Sequence, residues 1–429
     1  MEMGDCMTHT VEKCCRSCGA HDLVDILFLG DTPLADRLLE NEEQGESEIY
    51  APLTLVFCQD CGLLQIRETV PPGILFGEAY PYFSSVSPSL LMHFRRGAES
   101  IVQRCALGSD SLVIEAASND GYMLRRFMEL GVPVLGVDPA PDPVGSAVEA
   151  GVPTRQDFFT REFAEALLAE GVGPADVFLA NNVLAHVPDL NGFVAGIRLV
   201  LKPDGLAVIE VPYVEDLIDG CEFDTIYHQH LCYFSVTALD TLFRNNGLYL
   251  NDVERTTVHG GSLRLFVGRQ EASSGKVEEL LATEQALGIT RLDYYKNFGA
   301  HVLQLKGKLI ELLADLKARK MRIAGYGAAA KACTLLSFAG IDRNTLDFVA
   351  DRNTFKHGRY MGGNYLPIVS AGEIAAKMPD YVLILAWNFA EEIMEDLAEY
   401  RQNGGQFIIP IPEPHIVLNH ADPDRHAGR

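Results

Sequence analysis

Four cysteines in two matched pairs are the side chains most able to do chemistry. Cys15-Arg16-Ser17-Cys18-Gly19 and Cys58-Gln59-Asp60-Cys61-Gly62 repeat one pattern, a CxxC followed by glycine. Two such knuckles supply four thiolates, the donor set of a tetrahedral Zn²⁺, and the glycine relaxes the tight turn. Buried free thiols or a redox CxxC would explain one pair, but the doubled pattern points to zinc. A four-thiolate site leaves no open coordination position, so this zinc should hold structure and do no chemistry. Cys14 competes with Cys15, and the spacing favours Cys15.

A second group lies mid-chain. VIEAASNDGYML puts Glu115 at the end of an apolar run, then turns through Asp120 and Gly121 into a helical pattern. Asp138 closes the next run in GVDPA, where a Rossmann-like site holds an acid for ribose hydroxyls. Ala116 and Ala117 stand where a GxGxxG loop has glycine, which disfavours a pyrophosphate. The ligand expected at this turn carries no phosphate there, as in S-adenosylmethionine. Asn181 and Asn182 follow the fourth strand, at the carboxyl edge where such sheets bind ligands. A polar β–α turn in any doubly wound fold is the plainer alternative.

A third group is FDTIYHQHLCYFS, which holds Tyr227, His228, Gln229 and His230, with His186 upstream and His259 downstream. Histidines two apart in an extended segment face the same side. A neutral histidine beside a cofactor suits a general base near pH 7. Metal binding by HxH is weaker, because no nearby carboxylate completes a ligand set.

A fourth group is GYGAAAK. Gly325, Gly327 and the alanines allow close approach at a helix N-terminus, which favours anions, and Lys331 adds a positive charge. A plain tight turn with a solvated lysine is the alternative. Asn388, after LILAW, sits at a carboxyl edge; Trp387 reads as packing.

The elements that must position these groups follow from periodicity. Residues 1–75 read as a small β-rich module. From 111 onward, strands alternate with helices, which implies a parallel sheet covered on both faces. One helix, FVAGIRLVLKPDG, is read as ending at Pro203 and Gly205. Residues 273–320 are helical, and a second α/β unit begins at RIAGYGA. The fold class is thus α/β: a zinc module, a Rossmann-like domain and a second Rossmann-like domain.

The 429 residues, 48% hydrophobic and 22% charged, have ordinary globular composition and length for about three domains. The net charge of −24 argues against nucleic acid and anionic membranes as partners. No signal peptide or membrane-length apolar run is seen, so a cytoplasmic protein is expected. Disulfides are then disfavoured for the ten cysteines.

The sequence resembles the sugar C-methyltransferases, S-adenosylmethionine-dependent enzymes that act on nucleotide-linked 4-keto-deoxysugars in antibiotic and polysaccharide pathways. The likeness runs from about residue 14 to 415. It rests on both knuckles, LGDTPLADRLL, YPYFSS, VIEAASNDGYML, GVDPA, ANNVLAHVPDL, IEVPY, FDTIYHQHLCYFS, HGGSLR, GYGAAAK and LILAWN. It implies a zinc-binding module (1–75), a methyltransferase domain (76–272), a helical connector with a Rossmann-like domain that helps hold the nucleotide sugar (273–415), and a polar tail (416–429).

By that likeness the substrate is a nucleotide 4-keto-6-deoxysugar, with dTDP the expected nucleotide. A base removes the proton next to the ketone, and the enolate attacks the donor methyl. His230 matches the base, Tyr227 and His186 match polar residues around the sugar, and Gln229 shares this catalytic set. Glu115, Asp120, Gly121, Asp138 and Asn181 line the methyl-donor site. Tyr80, Tyr82, Ser84, His228, His259, Tyr326, Lys331 and Asn388 fall to the substrate. The chain departs from the family pattern twice. Gln229 stands where glutamate is usual, and glutamine cannot ionise. RYMGGNYLPI replaces Pro-Gly-Thr-His-Ile-Pro-Ile. The first departure leaves a keto-sugar epimerase or enolising enzyme, or a silent binding member, as alternatives. Three domains that bury each other's faces fit a monomer.

Overall fold

The computed structural model describes residues 8–41, 48–76, 84–86, 88–256 and 258–417. Tyr80, Tyr82 and the tail from 418 lie outside them, as does the side chain of His259.

The chain forms two compact units. The first comprises Met1–Phe28, Thr54–Leu217 and His228–Lys296; the second comprises Leu29–Leu53, Ile218–Tyr227 and Asn297–Arg429.

The first unit is built on a seven-stranded sheet. Across it the strands run Tyr249–Thr256, Ser262–Gly268, Leu201–Pro212, Ala175–Asn181, Val113–Ala116, Val134–Asp138 and Thr154–Gln156. Numbered in chain order from the other edge this is 3-2-1-4-5-7-6, and only Ser262–Gly268 runs antiparallel to its neighbours. The inner strands VIEA and ADVFLAN are apolar almost throughout because helices cover both faces. On one face Phe94, Ile101, Leu124 and Phe127 pack with Val113, Val177 and Val208. On the other, Phe178 meets Phe159 at 4.7 Å between ring centroids. The order reverses direction between strands Val113–Ala116 and Ala175–Asn181, and such switch points open a crevice at the carboxyl ends.

A four-stranded sheet carries the knuckles, in the order Cys232–Tyr233, Leu64–Ile66, Tyr50–Cys58, Leu23–Pro33. Its edge strand Cys232–Tyr233 directly follows the histidine-rich segment and pairs antiparallel with Leu64–Gln65.

The second unit has six strands in the order Ile368–Ser370, Val349–Asp351, Ile323–Tyr326, Tyr381–Ile384, Gln406–Ile409, His415–Val417. That is 3-2-1-4-5-6, the doubly wound dinucleotide order, with the last strand antiparallel.

Two local expectations need correction. The helix beginning at Leu190 stops at Val200, before Pro203, and Lys202–Gly205 lie inside the next strand. A residue preceding proline is pushed out of the α region, so the helix ends early. The Tyr227–Gln229 segment is a turn and not an extended strand, so the inference that His228 and His230 face one side loses its premise.

Candidate active site and metal centre

The knuckles converge. One ligand atom from each of Cys15, Cys18, Cys58 and Cys61 lies within 4.8 Å of all the others. Sγ–Sγ distances are 3.5 Å for Cys15–Cys61 and 3.6 Å for Cys18–Cys58. A tetrahedral ion at about 2.3 Å from each sulfur would space the sulfurs about 3.8 Å apart, so a zinc ion fits with little movement. The two knuckles share one backbone design. Gly19 N–H donates to Cys15 O at 2.9 Å and Gly62 N–H to Cys58 O at 3.0 Å. Both glycines have positive φ, 75° and 74°. Cys14 lies instead beside the His21 ring, 3.5 Å from Nδ1. Among the described residues no other group of three or more potential ligands is gathered this closely.

The crevice of the first unit collects the mid-chain group. Glu115 is fully buried and accepts from Asn181 Nδ2 at 3.0 Å. Asp138 accepts from the Asn119 and Ala140 amides, both at 2.9 Å, one on each oxygen. It thereby ties the first-strand loop to the second strand. Gly121 has φ +74° and would place a Cβ 2.8 Å from Val152 Cγ2, so no side chain fits there. Ala117, Asn119 and Asn182 also adopt positive φ, at 53°, 49° and 54°. Strain of this kind collects at ligand clamps.

Four buried atoms at this edge have no hydrogen-bond partner among the described residues: Glu115 Oε2, Ser118 Oγ, Asp120 Oδ1 and Asn182 Oδ1. Buried polar atoms are nearly always satisfied, so this edge fits a polar ligand. The local charge chooses its sign. Burial raises the Glu115 carboxyl to about 8 despite the bond from Asn181, and Asp138 and Asp120 push it further the same way. An edge lined by acids disfavours a phosphate and suits a cation such as a sulfonium or amine, which would draw Glu115 toward its carboxylate form. Ser84 reaches the same loop, its amide donating to Asn119 Oδ1 at 2.9 Å.

The histidines border this edge. His186 lies in the short helical turn Leu184–His186, just past Asn181. Its ring meets that of His230 edge-on, with centroids 4.8 Å apart. The Leu231 amide donates to Ala185 O at 2.7 Å and locks the two segments together. Burial lowers His186 to about 4, so it is neutral near pH 7 and can accept or relay a proton. His230 is half-buried, whereas His228 and Gln229 are buried.

The second unit repeats the aspartate clasp. Asp351 accepts from the Ala328 and Asn353 amides, both at 2.7 Å, as Asp138 does from its own two. Lys331 lies in the first turn of the helix Ala330–Ala339 but is not a solvated lysine. Its Nζ donates to Asn388 Oδ1 at 2.6 Å and sits 4.0 Å over the Trp387 ring. Tyr326 is buried in the sheet's apolar core, which pushes its hydroxyl up to about 12.

Three groups escaped the sequence reading. Ser118 is a fully buried serine in the crevice loop. Asp224 accepts from the Trp387 indole Nε1 at 2.8 Å, so Trp387 is more than packing. Glu210, on the fifth strand, is fully buried between His93 and Arg264, at 2.9 and 3.0 Å. Burial opposes its ionisation, but His93 and Arg264 outweigh that and lower its pKa. A lone tryptophan and an acid inside an apolar strand were the available signals.

A Rossmann-like sheet with an acidic switch-point crevice and bordering histidines defines an α/β methyltransferase, here joined to a zinc module and a second doubly wound unit. Sequence comparison agrees. Three family profiles match: a domain described as zinc binding over residues 15–76, a methyltransferase domain over 91–253, and a C-methyltransferase C-terminal domain over 257–412. The chain is 38% identical over 406 residues to the C-methyltransferase NovU of Streptomyces niveus, covering 94% of this chain and 96% of that one. It is 27% identical over 160 residues to a ubiquinone biosynthesis O-methyltransferase of Xanthomonas axonopodis pv. citri, covering 33% and 64%. Magnesium protoporphyrin IX methyltransferase from Synechocystis PCC 6803, solved with bound SAM, overlaps 42% of this chain and 82% of its own at TM-score 0.32 and 14% identity. The chain belongs to the C-methyltransferase family, and S-adenosylmethionine is its methyl donor. Among the described residues no helix is long and apolar enough to cross a membrane.

Proposed function

We propose that this enzyme methylates a carbon next to the C4 ketone of a nucleotide-linked, dTDP-type 4-keto-6-deoxysugar. The observation that carries the reading is the His186–His230 ring pair beside an acidic crevice. Glu115, Asp120, Gly121, Asp138 and Asn181 hold the donor, with Ser118 and Asn182 beside them. S-adenosylmethionine supplies an electrophilic methyl on a sulfonium.

His230 takes the proton next to the ketone, and the C–H electron pair becomes the enolate that forms the new C–C bond as the methyl–sulfur bond breaks and its electron pair returns to sulfur. His186, neutral and in ring contact, orients His230 and keeps a second charge away from it. Tyr227 sits in the same turn and can hydrogen-bond the ketone oxygen as charge develops there. Gln229 is buried as a neutral amide where the family pattern has glutamate, so this turn carries one charge fewer. Ser84, His228, His259, Tyr80, Tyr82, Tyr326, Lys331 and Asn388 are the substrate contacts this reading names. Residues 1–75, 76–272 and 273–415 divide the labour into zinc module, methyl transfer and nucleotide-sugar binding.

The test follows exchange of the α-proton of dTDP-4-keto-6-deoxyglucose in D₂O by NMR, alongside methyl transfer by mass spectrometry. Wild type should exchange and methylate. His230→Asn should lose both, and unchanged exchange in that variant would reject His230 as base. Exchange without methylation, in the presence of bound donor, would favour an enolising enzyme instead and give Gln229 its meaning.

A further inference from the structure

The one tryptophan of the chain, half-buried Trp387, and the fully buried Asp224 are left unused by the reaction above. The tryptophan opens the turn Trp387–Phe389, just past the fourth strand of the second unit. Its indole donates to Asp224 Oδ2 at 2.8 Å. Asp224 is fully buried, and its other oxygen, Oδ1, has no hydrogen-bond partner among the described residues. Lys331, over the indole ring and bonded to Asn388, is the cation that acts on Asp224. Burial raises Asp224 to about 6, and the Lys331 charge and the indole bond oppose that rise. Glu222 faces Lys331 as well. One ammonium therefore serves two acids.

The same stretch of chain is fastened to the helix Ala330–Ala339, which carries Lys331 in its first turn. Thr334 Oγ1 donates to the Ile226 carbonyl at 2.9 Å, and the Phe223 and Phe338 rings meet edge-on at 5.4 Å. Residues 223–226 are thus gripped by the two elements that flank the second crevice. Tyr227 follows at once, and it belongs to the same unit.

We infer that Asp224 and Trp387 are positioning residues, through which an anion bound at Lys331 and Asn388 sets the pose of Tyr227. This rests on the reading of Lys331 and Asn388 as substrate contacts. A diphosphate that engages the Lys331 ammonium competes with Asp224 for it. A buried carboxylate deprived of its cation is costly, so the segment that carries Asp224 must respond. Asp224 is three residues from Tyr227, with no flexible glycine between them to absorb the change. Substrate arrival is then felt at the reacting end without any new contact there.

The sole tryptophan makes this measurable in the full-length enzyme. Thymidine diphosphate, which lacks the keto sugar, should change Trp387 emission with the same midpoint as calorimetric binding. Asp224→Asn keeps an acceptor for the indole but removes the charge. It should lower kcat for methyl transfer about tenfold, the scale expected when a reacting group is misplaced, with S-adenosylmethionine affinity and melting temperature held. Trp387→Phe should do the same, because it keeps the ring and loses the donor. Wild-type kcat in Asp224→Asn, or emission blind to bound thymidine diphosphate, would overturn the inference. A loss of kcat that tracks a fall in melting temperature or donor affinity would also overturn it, since that marks a structural role. Wild type that neither binds thymidine diphosphate nor methylates would instead sink the underlying functional reading, and this inference with it.

Discussion

Binding of the methyl donor should take a proton off the enzyme, and Glu115 should be its source. The carboxyl is fully buried and raised to about 8 by desolvation, with Asp138 and Asp120 adding to the rise. Near neutral pH the ligand-free crevice therefore holds mostly the neutral acid. A cationic donor favours the carboxylate. If the complex needs Glu115 ionised, the competent fraction is about 1% at pH 6 and about half at pH 8, so apparent affinity should rise about 50-fold, or about 2.3 kcal/mol. Calorimetry at pH 6, 7 and 8, in buffers of different ionisation enthalpy, counts the released proton directly. Glu115→Gln should flatten the profile and abolish the release.

The same shift has a cost in the absence of ligand. Because the folded pKa lies above the unfolded one, the protein loses stability from about pH 4.5 upward, and the loss is complete above about pH 8. Glu115→Gln should accordingly raise the urea midpoint at pH 8 and change it little at pH 4.5. A donor affinity that is flat from pH 6 to 8, with no proton released, would refute the reasoning.

Two further outcomes concern stability. Removing zinc with a strong chelator should unfold the knuckle sheet, since structural zinc contributes about 10–16 kcal/mol of apparent binding energy in small modules; metal analysis with thermal melting checks it, and an unchanged melt after complete removal would count against a structural ion. Glu284 is fully buried and accepts from Tyr213 Oη, the Val236 and Thr237 amides and Thr237 Oγ1, at 2.6–2.8 Å. Glu284→Ala removes the shared acceptor of these four donors and should cost about 3–5 kcal/mol in urea unfolding, with Glu284→Gln milder; a loss under about 1 kcal/mol would show that water replaces the carboxylate.

Much of the architecture was legible because its signals are local. The knuckles are short and repeated, and their glycines sit where the backbone needs positive φ. VIEAASNDG and GVDPA read correctly as strand, turn and strand because apolar runs and turn residues abut. What failed depended on partners far along the chain. Tyr227-His228-Gln229-His230 contains neither glycine nor proline, so nothing local marks a turn. The turn is held from outside, by Leu231 donating to Ala185 at 2.7 Å and accepting from Ile66 at 2.9 Å. Trp387 looked like packing because its partner Asp224 is 163 residues away. Glu284 reads as one more charge on a helix until its contacts with Tyr213 and Val236 are seen. Lys331 reads as a solvated cation or an anion site with equal ease, and its partners Asn388 and Trp387, 57 and 56 positions on, show only that it is not freely solvated.

The edge strand Cys232–Tyr233 bears on how the molecule can be made and divided. The knuckle sheet receives that strand from far downstream, two residues after His230. A ribosome releasing the first hundred residues therefore exposes a sheet whose Leu64–Ile66 edge is still open, and open edges recruit other chains. An N-terminal fragment that ends before residue 233 should bind metal yet associate with itself. The knuckle sheet and the Tyr227–Gln229 turn should therefore mature together.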